Sequence, residues 1–227
     1  MEQAGTPAYK SDRLPLHKID QRSPLMRYDL LIAGFGGQGA LLAGTVLCYA
    51  AMIEGKNVSY LPSYGPEKRG GAAMCTVVIT DGDVGSPVVG NPSVGILLNQ
   101  LALEKYGPRI KPGGICIVNS SLADTSHINR TDIEIFEMPM NEIAMGIGDA
   151  RLVNMVALGA YAAKTGAVGE KSLEMALKDA LPERNHKYIP VNIKAIEAGV
   201  EIIRKALAGE NPAEADSSKM AEKALTA

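Results

Sequence analysis

Two kinds of apolar pattern alternate along this chain, with glycine and proline marking the boundaries between them. Residues 28–33 (Tyr-Asp-Leu-Leu-Ile-Ala) are a nearly unbroken apolar run, which suits a short strand covered on both faces. Residues 38–53 are apolar or small at nearly every position and end at Glu54-Gly55, where Gly55 is a good C-terminal cap. A helix that is apolar all round has to be buried, either under a sheet and its neighbours or against another subunit. Further strands are expected at 57–61, 73–80, 94–98, 115–118 and 133–138. Asp81-Gly82-Asp83 reads as a hairpin-type turn into Val84 and residues 86–89, so a short antiparallel excursion is expected there. Helical patterns follow at 101–109, at 150–164 behind a capping Asp149, at 171–181 and at 191–207. The alternation predicts an α/β fold, Rossmann-like, with a mostly parallel sheet and helices on both faces. One domain is expected over 27–207, between a loose, mildly basic N-terminal arm (1–26) and a polar C-terminal tail (208–227).

Chemistry enters at the first turn. Gly34-Phe35-Gly36-Gly37-Gln38-Gly39 lies between the first strand and the first helix, the context in which G-x-G-x-x-G carries meaning. Glycines let a backbone approach a ligand closely, and the free N–H groups of a helix start favour an anion. Gly34, Gly36, Gly37, Gln38 and Gly39 are therefore candidate binding residues. A nicotinamide dinucleotide site also needs an Asp or Glu about 20 residues further on, to hold the ribose hydroxyls. The next strand instead runs into Pro62-Ser63-Tyr64, and basic residues first appear at Lys68 and Arg69. The turn is strong evidence for the fold and weak evidence for NAD.

A second candidate is the loop Ser63-Tyr64-Gly65-Pro66-Glu67-Lys68-Arg69-Gly70-Gly71. Gly65-Pro66 marks a turn, and the paired glycines permit positive φ or close backbone approach. Charges packed between glycines suit a groove that meets a charged ligand or partner, with Arg69 as the natural oxyanion binder. The bland alternative is a solvated loop. Asn119-Ser120-Ser121 falls just past the strand at 115–118, at the sheet edge where parallel folds bind ligands. There the alternative is a turn that satisfies its own backbone. Asn154 stands inside an apolar helical surface and needs a partner if buried.

Composition narrows the classes. In 227 residues, a net charge of −2 gives no global reason to expect nucleic acid, and 4% aromatic content without Trp supplies no stacking platform. Cys48, Cys75 and Cys116 each sit in apolar segments without C-x-x-C spacing, as expected of buried reduced thiols in a cytosolic protein. His17, His127 and His186 share no ligand spacing, so no metal site is expected. No apolar run is long enough to span a bilayer.

The combination GFGGQG, SYGPEKRGG, GSPVV and KPGGICIVNSS, in that order and spacing, resembles the gamma subunit of a 2-oxoacid:ferredoxin oxidoreductase over residues 28–207. The loop form SYGPEKRGG is closer to the 2-oxoglutarate and branched-chain 2-oxoacid members than to the indolepyruvate members. The resemblance implies one subunit of an enzyme that decarboxylates a 2-oxoacid, passes the acyl group to coenzyme A and reduces ferredoxin through iron–sulfur clusters. Thiamine diphosphate with magnesium carries the carbanion chemistry. By the same resemblance, thiamine site and clusters belong mainly to alpha, beta and ferredoxin-like delta subunits, and no catalytic acid, base or nucleophile is expected in this chain. The glycine turn, Ser63, Tyr64, Gly65, Pro66, Glu67, Arg69, Gly70, Gly71, Asn119 and Ser120 then become the residues expected to help enclose coenzyme A. Two other readings stay open: a stand-alone dinucleotide-dependent oxidoreductase, and a scaffold whose glycines serve only packing.

Overall fold

The computed structural model describes residues 26–65, 71–126 and 128–209. The proposed arm (apart from Met26), most of the proposed tail, His127 and the loop residues Pro66, Glu67, Lys68, Arg69 and Gly70 lie outside the described residues. Six strands form one sheet in the order β2-β3-β1-β4-β5-β6: β1 (Arg27–Phe35), β2 (Asn57–Tyr64), β3 (Ala72–Thr80), β4 (Val94–Leu97), β5 (Ile115–Asn119) and β6 (Glu134–Met138). The helices are α1 (Ala40–Ile53), α2 (Gln100–Tyr106), α3 (Met140–Ile147), α4 (Val153–Thr165), α5 (Glu170–Ala180) and α6 (Ile189–Leu207).

β1, β4, β5 and β6 pair in parallel, while β3 pairs antiparallel with both β1 and β2. The sheet is mostly parallel, as expected, but the antiparallel element is not where the pattern put it. Residues 81–90 form no strand. The reversal is β3 itself, which turns back from β2 and inserts between β2 and β1. Proline explains part of this placement: Pro62 lies within β2, and a strand containing proline is tolerated at a sheet edge because the missing N–H can face outward.

The helices are distributed unevenly over the two faces. Leu30, Ile32, Cys75, Val77, Ile79, Ile96 and Ile117 point to one side and pack under α1, α3, α4, α5 and α6. Leu31, Ala33, Leu97, Cys116 and Val118 point to the other, where α2 supplies Ala102, Leu103 and Tyr106. Alternate residues of each central strand thus go to different cores, which is why the strands read as continuous apolar runs. On the crowded side α4 and α6 cross backbone to backbone: a Cβ built on Gly159 lies 2.0 Å from the carbonyl oxygen of Ile196, and one on Gly199 lies 2.0 Å from that of Val156.

Several boundaries move for local reasons. α1 begins at Ala40 rather than at residue 38, because Gly39 takes a left-handed conformation (φ 75°) and Gln38 is used elsewhere. It closes with Lys56 N–H on Ala51 O (3.0 Å) and Gly55 N–H on Met52 O (2.9 Å), with Gly55 left-handed as the C-terminal cap reading required. α3 was not foreseen, being an eight-residue helix enclosed between Pro139 and Gly148. Asp149 caps the 3-10 turn Ala150–Leu152 through a bond from Arg151 N–H (2.9 Å), and α4 proper starts one turn later. No described helix is long and apolar enough to cross a membrane.

Candidate functional site

The register brings the two glycine motifs together. Phe35, the last residue of β1, pairs with Ala72, the first of β3, and Tyr64 at the end of β2 pairs with Ala73. The turn after β1 and the connection between β2 and β3 therefore leave the sheet side by side, at the carboxyl ends of the parallel strands. Gly36 N–H donates to Gly71 O (2.8 Å), and Gly65 N–H donates to Ala72 O (2.7 Å). One hydrogen bond thus joins two motifs that are 35 positions apart in the chain.

The turn itself is held by amides. Gln38 Oε1 accepts from the N–H of Phe35 (2.6 Å) and from Nδ2 of Asn99 (2.8 Å), while its Nε2 donates to Leu98 O (3.1 Å). The carbonyl oxygen of the Asn99 amide, Oδ1, caps α2 by accepting from the N–H of Ala102 (2.9 Å). Asn119 Nδ2 donates to the same Leu98 carbonyl (3.2 Å) and to Asn141 Oδ1 (3.0 Å), and Asn119 Oδ1 receives the N–H of Met140 (3.2 Å). The carboxamides of Gln38, Asn99, Asn119 and Asn141 therefore tie the ends of β1, β4 and β5 to the starts of α2 and α3. Buried amides left unpaired are costly, so this row stiffens the sheet edge.

This arrangement divides the sequence candidates. Asn119 is fully buried and Gln38 half-buried, and both amides are engaged by internal partners. Gly34 is buried behind the turn, where a Cβ would meet Gln38 Oε1 at 2.6 Å. Gly36 and Gly37 are exposed, and Gly37 adopts φ 105°. Gly39 is partly exposed, and its carbonyl accepts from Nδ2 of buried Asn154 (3.1 Å), the partner that residue was expected to need. Ser63 and Tyr64 are exposed at the end of β2, Gly65 and Gly71 are half-buried, and Ser120 is exposed with its N–H on Met138 O (2.8 Å). Asn99 carries no sign of this role in its sequence context, because an amide before an apolar helix reads simply as a cap.

Two hollows adjoin the turn. A cavity of about 530 Å³ opens on the thinly covered face, between Gly34, Phe35, Gly71, Ala72 and Met74 on one side and Leu101, Lys105 and Tyr106 of α2 on the other. It is walled mainly by apolar groups and lies against the same strand ends. On the crowded face a smaller hollow of about 230 Å³ is lined by Gly37, Gly39, Leu42, Arg151, Asn185 and Tyr188. Arg151 is committed there: Nε and Nη2 grip Asp149 at 2.9 and 2.6 Å, and the guanidinium lies 5.6 Å from the Tyr188 ring centre. That grip, helped by the Arg151 backbone N–H, lowers the Asp149 carboxyl to about 2. At the helix start, Ala43 N–H is the first to take an intrahelical carbonyl, that of Gly39, so the N–H groups of Ala40, Leu41 and Leu42 precede it.

A dinucleotide site takes its ribose-binding acid from a second strand beside the first, whereas here β2 is separated from β1 by β3. An acid at the end of β2 would stand two strands away from the turn, so the dinucleotide arrangement is disfavoured by topology as well as by residue type. The cysteines are buried, and burial raises each thiol to about 12, which disfavours thiolate ligation. Among the described residues, no three His, Cys, Asp or Glu side chains converge.

Residues 29–202 match the family described as pyruvate ferredoxin/flavodoxin oxidoreductase. Ketoisovalerate oxidoreductase subunit VorA of Methanothermobacter marburgensis is 39% identical over 181 residues, which are 79% of this chain and 37% of that protein. The 2-oxoglutarate synthase subunit KorC of Methanocaldococcus jannaschii is 34% identical over 189 residues, 82% of this chain and 100% of that one. The crystal structure of the gamma subunit of keto/oxoacid ferredoxin oxidoreductase from Geobacter sulfurreducens superposes with a TM-score of 0.66 at 32% identity, covering 78% of this chain and 98% of that one. The chain thus spans well under half the length of VorA and the full length of KorC.

Proposed function

Because the chain belongs to the pyruvate ferredoxin/flavodoxin oxidoreductase family, we propose that it is the gamma component of a multi-subunit 2-oxoacid:ferredoxin oxidoreductase. The substrate class is 2-oxoglutarate or a branched-chain 2-oxoacid, in line with the kinds of relative it matches. The reaction is oxidative decarboxylation to the acyl-coenzyme A with reduction of ferredoxin. The observation that supports this reading is the bond from Gly36 N–H to Gly71 O (2.8 Å), which brings the GFGGQG turn beside the last glycine of SYGPEKRGG.

This chain's share of the work is to hold coenzyme A. The early N–H groups of α1 and the charged residues of the 66–70 loop meet its phosphates, with Arg69 as the principal anion contact. The 530 Å³ cavity offers apolar walls to the uncharged arm of the same molecule. Thiamine diphosphate, when bound, supplies the carbanion chemistry and iron–sulfur clusters carry the electrons; both are assigned to alpha, beta and ferredoxin-like delta subunits. The residues of this chain do not suit a cluster, since its three thiols are buried and hard to ionise.

The test is purification of the native complex through a tag on this chain. Co-elution of subunits bearing the thiamine and cluster domains is expected, together with ferredoxin reduction that needs both a 2-oxoacid and coenzyme A. The chain expressed alone should be colourless and inactive. Stoichiometric iron and sulfide in the single chain, or a complex whose activity ignores coenzyme A, contradicts the proposal.

A further inference from the structure

The glycine turn is held by one side chain that is itself held. Gln38 Oε1 has two acceptor positions and both are used, by Phe35 N–H (2.6 Å) and by Nδ2 of Asn99 (2.8 Å), while Nε2 donates to Leu98 O (3.1 Å). Turning the amide over would set its NH2 against two donors and its oxygen against a carbonyl, so one orientation alone is satisfied. Room for it is left by Gly34, where a Cβ would stand 2.6 Å from Oε1. Phe35 precedes Gly36, whose N–H joins the turn to Gly71. The backbone at Phe35 and Gly36 is thus fixed through Gln38 by Leu98 and Asn99, consecutive residues just past β4.

Asn99 does two separable things. Its Oδ1 caps α2 by accepting from Ala102 N–H (2.9 Å), and its Nδ2 locks Gln38. A cap is equally well made by Ser, Thr or Asp, none of which has an NH2 to give Gln38. The residue is buried (3% exposed) and borders the cavity between the strand ends and α2.

We propose that Asn99 is a positioning residue for coenzyme A, acting through Gln38 on the shape of the glycine turn. The inference rests on the coenzyme A reading given above and adds to it a residue outside both glycine motifs. Without the Asn99 bond, Gln38 keeps Phe35 N–H and Leu98 O but loses the contact that stops its amide swinging with the turn. The N–H groups of the turn then spread over more orientations, and binding has to order them again. Affinity for coenzyme A falls, while the chemistry, which this chain does not perform, is untouched.

The experiment compares Asn99→Ser and Asn99→Ala in the complex purified through a tag on this chain, with subunit stoichiometry measured. Serine keeps the α2 cap and drops the bond to Gln38; alanine drops both. Both variants should raise the apparent Michaelis constant for coenzyme A by the same factor, about three- to tenfold for one neutral hydrogen bond, with kcat and the 2-oxoacid constant within about twofold of wild type. The single chain should melt lower with alanine than with serine, since alanine alone removes the cap. In a Gln38→Ala background Asn99→Ser should add nothing, because its route to the turn is gone. A coenzyme A constant that follows the melting temperature, rising with alanine but not with serine, overturns the inference in favour of a structural cap and leaves the functional reading standing. A further rise on adding Asn99→Ser to Gln38→Ala overturns it in favour of direct contact with the ligand, and loss of assembly with Asn99→Ser overturns it in favour of a role in folding. Unchanged coenzyme A constants in Gln38→Ala and in both Asn99 variants, in intact complexes, overturn the inference together with the reading of the turn as a coenzyme A contact.

Discussion

Gly159→Ala should destabilise the protein more than any other single-methyl addition considered. The new Cβ would fall 2.0 Å from Ile196 O and 2.8 Å from its carbonyl carbon, both backbone atoms of α6. A flexible side chain can swing aside, but a helix backbone has to move as a unit, and Gly199 closes the crossing from the other side against Val156 O. Separating α4 from α6 would also loosen Val156, Ala160, Ala195, Ile196 and Val200, which belong to the larger core. The expected loss is about 3 kcal/mol or more, at the upper end of overpacking costs. For a domain of this size that corresponds to a fall in melting temperature of roughly 6–12 °C. Thermal denaturation of the single chain checks it, and a shift of less than about 2 °C on the same scale would show that the crossing can open cheaply.

Gly39→Ala combines two penalties at the start of α1. The residue sits at φ 75°, where an L side chain costs about 1–2 kcal/mol. The added Cβ would also lie 2.4 Å from Asn154 Nδ2, forcing out a buried amide whose bond to the Gly39 carbonyl it needs. An unsatisfied buried amide adds about 1–3 kcal/mol, for a total near 3 kcal/mol. The partner of this glycine is α4, not the strand against which the third glycine of a dinucleotide turn packs. The double variant Gly39→Ala/Asn154→Ala should therefore recover part of the loss, because the obstructing amide is gone. Equal melting temperatures for the single and double variants would show that the conformational penalty acts alone.

Much of the fold was legible because its signals are local. The runs at β1, β4 and β5 announce strands buried on both faces, and Gly55 ends α1 where its position suggests. Strand order was not legible, since nothing within residues 57–80 says that β3 slips between β2 and β1. The antiparallel reversal was accordingly placed at 81–89, where Asp81-Gly82-Asp83 resembles a hairpin turn but leads into an irregular segment. The candidate site followed the same rule. Glycines that need a particular φ or close approach declare themselves, whereas amides do not. The bonds of Gln38 and Asn119 leave no trace in the sequence, because their partners, Asn99, Leu98 O and Asn141, come from other strands and helices. A carboxamide's role depends on its neighbours in space, and those are set by the register of β1, β4 and β5.

The central claim is that the glycine turn and the adjoining loop form one coenzyme A-facing edge, and the steady-state response of the assembled enzyme to coenzyme A tests it most directly. Arg69→Ala removes the principal anion contact proposed for that edge, and one lost charge-assisted contact costs about 1.5–3 kcal/mol. The apparent Michaelis constant for coenzyme A should rise by roughly one to two decades, with the 2-oxoacid constant changed less. Subunit stoichiometry is measured on the same preparation, so that a failure of assembly cannot pass for weaker binding. An intact complex with an unchanged coenzyme A constant contradicts the account.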